Sequence, residues 1–111
     1  MDTKSIVTKN LLLDFYGKLL TDKQREMYTL KYEDDLSITE IAEEFGISKQ
    51  GVSDSINKTE KALNDYENKL HLVERYEALN EVIDELDTKL SDKEAKELKQ
   101  VRSKLEKIRN I

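Results

Sequence analysis

SITEIAEEFGISKQGVSDSINKTEKAL, residues 37–63, contains two helix starts and one helix stop. Ser37 and Glu40 stand at the spacing of a capping box, in which a hydroxyl and a carboxylate satisfy each other's backbone N–H groups. A short helix over 38–45 follows, with Ile41, Ala42 and Phe45 on one side. Gly46 occupies the position where a left-handed residue ends a helix. Ser48 is a new N-cap. From Lys49 a second helix turns Val52, Ile56 and Leu63 inward. Ala42 is small where the two helices must cross. A short helix, a tight glycine turn and a second helix form a helix-turn-helix arrangement.

Upstream, Ile6, Val7, Leu11, Leu12, Phe15, Leu19 and Leu20 predict a helix from Ser5 to about Leu20. Thr21 and Gln24 form another capping box, opening a helix with Met27, Tyr28, Leu30 and Tyr32 that ends near Glu33. Glu33-Asp34-Asp35 reads as a solvated connection, lacking the alternating oxygen ligands and central Gly of a calcium loop. Downstream of Gly51 there is no Gly or Pro. Helix either continues to Leu90 or bends near His71. Ser91-Asp92-Lys93-Glu94 is a third cap, starting a last helix with Leu98, Val101, Leu105 and Ile108. The expected architecture is all-α, with a helical domain over 1–70 and a helical hairpin or extension over 71–111.

Composition narrows function. The 111 residues include no Cys and one His. Disulfides, Cys-based zinc sites, multi-His metal sites and a Ser-His-Asp triad are unsupported. No Gly-rich phosphate loop is visible, so the expectation is a non-enzyme with no cofactor and no metal. His71 reads as a partly exposed helix residue, and the five tyrosines as packing. Mean hydropathy is −0.75. No segment has the apolar length of a membrane span, and residues 1–10 lack a signal-peptide core. A cytoplasmic protein without membrane contact is expected.

The formal net charge is −5, so any nucleic-acid site must be local. Rotating the second helix by 100° per residue with Val52 and Ile56 inward turns Gln50, Asp54, Asn57 and Lys61 outward. Ser53 and Lys58 flank them, and Ser48 and Lys49 lie in the first turn. These eight residues are the candidate nucleic-acid contacts. Gln and Asn suit bidentate bonds to adenine, and Asp54 suits only a cytosine amino group. Ser48, Lys49 and Ser53 suit phosphates. Between Ser48 and Ala62, three lysines oppose Asp54 and Glu60, a shallow positive footprint. Glu40, Glu43 and Glu44 make the first helix of the pair acidic, so it should stand away from a phosphate backbone. A solvated polar face and a protein-binding face are the competing readings.

The run LTDKQREMYTLKYEDDLSITEIAEEFGISKQGVSDSINKTEKALNDYENKL, Leu20 to Leu70, resembles the YlxM family of small bacterial helix-turn-helix proteins. The resemblance is carried by Lys23-Gln24 after Leu-Thr, by Ser37 to Glu43, and by Ser48 to Val52 leading into Lys58-Thr59-Glu60-Lys61. It implies a helix-turn-helix similar to region 4 of bacterial sigma factors. Members are usually encoded beside components of the signal recognition particle and its receptor. A DNA-binding, regulatory or accessory role in that pathway is thereby implied, with DNA or RNA and particle components as partners. The alternative is a protein–protein adaptor that no longer touches nucleic acid. The family tends to carry Arg at the positions of Lys49 and Asn57. Asn57 removes a charge, and Lys49 loses the bidentate geometry of a guanidinium.

In the C-terminal part, Tyr76, Leu79, Ile83, Leu86 and Leu90 repeat at 3-4-3-4 spacing, and Leu98, Val101, Leu105 and Ile108 at 3-4-3. Val73, Val82 and Ile111 add further apolar surface. Residues 71–90 carry a net −4 and residues 91–111 a net +3. Antiparallel docking within or between chains is favoured, and 71–111 is the expected homodimerisation region.

Overall fold

The computed structural model describes residues 3–90 and 92–109. In chain order it has α1 (Thr3–Tyr16), a 3₁₀ turn (Gly17–Leu19), α2 (Asp22–Tyr32), α3 (Ile38–Phe45), α4 (Lys49–Leu70), α5 (Leu72–Asp87) and α6 (Asp92–Arg109). No strand occurs among the described residues, so the all-helical architecture stands. The chain divides into two compact units, 1–70 and 71–111.

The first helix is shorter than its apolar pattern predicts. It stops at Tyr16, and Gly17–Leu19 tightens into a 3₁₀ turn closed by the Leu20 N–H donating to the Gly17 carbonyl at 3.1 Å. Glycine is a poor helix interior residue, and the chain must reverse here to reach α2. The inward set also differs. Leu11, Leu12, Leu13 and Tyr16 are buried, whereas Val7 and Leu19 are 49% and 56% exposed. Leucines at three successive positions cover too much of the helix circumference for periodicity to choose a face.

The caps of α2 and α3 form as their spacing predicts. Thr21 Oγ1 accepts from the Gln24 N–H at 3.2 Å, and Gln24 Oε1 accepts from the Thr21 N–H at 3.1 Å. Ser37 and Glu40 repeat this reciprocal pair at 3.1 and 3.2 Å. Gly46 is left-handed, φ 65° and ψ 35°. The Ile47 N–H then donates to the Ala42 carbonyl at 3.1 Å, satisfying an orphan carbonyl at the helix end.

Side chains from all four helices meet in the core of this unit. Tyr16, Met27, Tyr28, Ile41, Val52 and Leu63 are at most 1% exposed. Each fully buried large side chain contributes roughly 1.5–3 kcal/mol of transfer energy. Thr59 is buried as well, and its hydroxyl donates to the Ser55 carbonyl at 2.9 Å. The Tyr28 hydroxyl is buried with no hydrogen-bond partner. Burial, with the nearby Glu60 carboxylate and Tyr32 adding to it, holds the Tyr28 phenol well above the usual tyrosine range.

Two polar contacts tie α1 to α4. Lys9 Nζ lies 3.1 Å from Glu60 Oε1, and the Tyr16 hydroxyl donates to Glu67 Oε1 at 2.6 Å. Both pairs advance seven residues along both helices in the same sense, so α1 and α4 run side by side and parallel. Lys9 also donates to the Tyr32 hydroxyl at 3.3 Å and sits 4.4 Å from the Tyr32 ring centroid. Burial would lower its pKa. The bonds to Glu60 and Tyr32 outweigh that, and the Lys9 ammonium titrates above the ordinary lysine value.

His71 breaks the long helical run. It adopts a left-handed conformation, φ 56° and ψ 30°, a region in which His is enriched among non-glycine residues. His71 is therefore an interruption between helices and not a residue within one. Its Nδ1 lies 3.1 Å from Glu74 Oε2. In the second unit α5 and α6 form an antiparallel hairpin. Asp84 pairs with Arg102 at 2.8 Å, and Tyr76 bonds Glu106. The expected cap at Ser91 and the apolar Ile111 lie outside the described residues. Among those described, no helix is long and apolar enough to cross a membrane.

Candidate nucleic-acid interface

The second helix of the motif, α4, owes its orientation to its own apolar stripe. Val52, Ile56, Thr59 and Leu63 are buried along one side. At 100° per residue, Gln50, Asp54, Asn57 and Lys61 fall roughly opposite that stripe. All four are exposed, as are Ser48, Lys49 and Lys58, while Ser53 is half-buried. The structure thus places seven of the eight candidate residues on the first four turns of α4 and Ser48 just before it, all exposed but Ser53.

Ser48 starts the helix. Its Oγ accepts from the Gly51 N–H at 3.0 Å. A Cβ built on Gly51 would stand 3.2 Å from that same Oγ, so glycine leaves room for the cap. Lys49 is thereby held in the first turn, where unpaired backbone N–H groups and the helix dipole also favour an anion.

Two features were not evident from the residue pattern. Gln50 Nε2 donates to Asp54 Oδ1 at 2.9 Å. The two central polar groups are engaged with each other, so adenine recognition by Gln50 would require it to leave Asp54. An exposed bond of this kind is worth only about 1 kcal/mol. The other feature is Glu60, which turns toward α1 to meet Lys9 and is half-buried. Its charge is neutralised away from the exposed face. Asp54 is then the single carboxylate among the candidates, set against Lys49, Lys58 and Lys61. Glu43 and Glu44 stay exposed on α3, while Glu40 is committed to the Ser37 cap.

A capped short helix, a left-handed glycine and a buried-stripe second helix define a helix-turn-helix protein. More narrowly, the chain belongs to the UPF0122 family, described as "helix-turn-helix protein, YlxM / p13 like", whose model matches residues 3–103. It is 46% identical over 92 residues to a UPF0122 protein of Streptococcus thermophilus, covering 83% of this chain and 84% of that one. The UPF0122 protein YofM of Lactococcus lactis is 48% identical over 91 residues, 82% of each chain. A UPF0122 protein of Lacticaseibacillus casei is 49% identical over 86 residues, covering 78% of this chain and 76% of that one.

Proposed function

We propose that this is a non-enzymatic regulatory protein that contacts nucleic acid through the exposed face of α4. The observation that carries the reading is the separation of charge around that helix. Glu60 is drawn off to Lys9, while Lys49, Lys58 and Lys61 remain exposed beside Gln50 and Asn57. Lysines supply the sequence-independent attraction to phosphate, and the two amides supply hydrogen-bond donors and acceptors for base edges. Action in the signal recognition particle pathway, in the cytoplasm, follows from the resemblance to the family and is part of this proposal.

The test is a binding titration of the full chain against labelled duplex DNA and an RNA stem-loop at low salt. Lys58→Glu with Lys61→Glu should abolish binding to whichever the wild type holds, with the circular dichroism unchanged. Binding unaffected by that double change would overturn the assignment of this face.

A second reading is favoured by the Gln50–Asp54 bond and by exposed Glu43 and Glu44. On this reading the motif is a protein adaptor, and particle proteins rather than nucleic acid would occupy α4. Pull-down of signal recognition particle proteins persisting after nuclease treatment, with no binding in the titration, would select it.

A further inference from the structure

In the second unit, α5 and α6 leave an apolar groove of about 280 Å³ along the hairpin, lined by Leu79, Ile83, Val101, Lys104, Leu105 and Ile108. Leu79, Val101 and Ile108 are each about half exposed in the whole chain, at 49%, 54% and 57%. Val82 and Leu86 extend the strip along α5 with 53% and 43% of their surface in solvent. By contrast, among the described residues of this unit only Val73, Tyr76 and Ile83 are buried. A contiguous apolar strip of this kind marks an interaction surface.

We infer that the groove is the seat of a second copy of this chain, with α5 of one copy against α6 of the other. The charges flanking the strip commit the occupant. At 100° per residue, Glu81 and Glu85 fall on the outer flank of the α5 strip, with Arg75 the cation of α5 on that side. Lys93, Lys104 and Lys107 fall on the outer flank of the α6 strip, where they outnumber Glu94 and Glu97, and all of these side chains are exposed. Setting α5 against α5 would oppose carboxylate to carboxylate. Setting α5 against α6 opposes carboxylate to ammonium, and a two-fold axis makes that favourable contact twice. The hairpin's own ion pair, Asp84 with Arg102, lies on the other edge of α5. The strip's 3-4 spacing suits knobs packing between four antiparallel helices. This inference does not depend on what α4 binds.

Sedimentation equilibrium of the full chain at high micromolar concentration tests it. The wild type should sediment at twice the 13.0 kDa chain mass. Val101→Asp, at an exposed position, should leave the helical circular dichroism intact and weaken the dimer by about tenfold or more. Lys104→Glu/Lys107→Glu and Glu81→Lys/Glu85→Lys should each be monomeric alone and should form a heterodimer when mixed. A monomeric wild type, a dimer indifferent to Val101→Asp, or failure of the mixed variants to pair would each overturn it.

Discussion

Replacing Gly46 by alanine isolates a backbone cost. Gly46 sits at φ 65° and ψ 35°, and a Cβ added there meets nothing within 4 Å. No clash contributes, so the penalty is that of an L residue in the left-handed region, about 1–2 kcal/mol. Alanine also restricts the unfolded chain, which returns roughly 0.4–1 kcal/mol. The net loss is about 1 kcal/mol, or ~4–8 °C in Tm for a unit of this size. Asparagine should cost less, because it tolerates this conformation, and valine more, because its branched Cβ does not. Thermal and urea unfolding followed by far-ultraviolet circular dichroism would rank the three variants. Alanine as stable as glycine, or valine no worse than asparagine, would refute the left-handed turn between α3 and α4.

Tyr28→Phe removes a buried hydroxyl that has no partner, so urea unfolding should show stability unchanged or raised, and a loss above about 1 kcal/mol would mean a missed partner. Tyr28 and Lys9 both titrate above their ordinary values in the folded chain. Their contributions are complete below the unfolded pKa values near pH 10 and fade as pH rises further. Stability should therefore fall above about pH 10, and less steeply in Tyr28→Phe. Lys9→Met should cost about 0.5–1 kcal/mol, since the pair with Glu60 is partly open to solvent and screened accordingly. Gln50→Ala and Asn57→Ala should each weaken specific binding by about 1–3 kcal/mol if they read bases, as measured by competition titration.

How far the sequence could be read depended on the range of the interaction. The boxes at Thr21–Gln24 and Ser37–Glu40, the glycine stop at Gly46 and the cap at Ser48 are chemistry between residues a few positions apart. Each appears where its spacing places it. The end of α1 was not legible, because the reversal at Gly17 is set by packing against α2 and its apolar residues surround the helix. Lys9–Glu60 and Tyr16–Glu67 join residues 51 positions apart, and no local signal announces such pairs. That distance is also why the charge count over Ser48 to Ala62 set Glu60 against the lysines. The break at His71 left two readings open, since a histidine is compatible with helix as well as with the left-handed region. The candidate face itself was legible, because a stripe of Val52, Ile56 and Leu63 fixes which side of α4 meets water.

The central claim is that phosphate meets the exposed face of α4, and Asp54 is the carboxylate in its way. The direct measurement is the salt dependence of duplex DNA and RNA stem-loop affinity for wild type and Asp54→Lys, by fluorescence anisotropy. The account predicts tighter binding by Asp54→Lys and a slope of log affinity against log salt steeper by about one. Identical affinity and slope for the two proteins, or no binding by either at low salt, would contradict it.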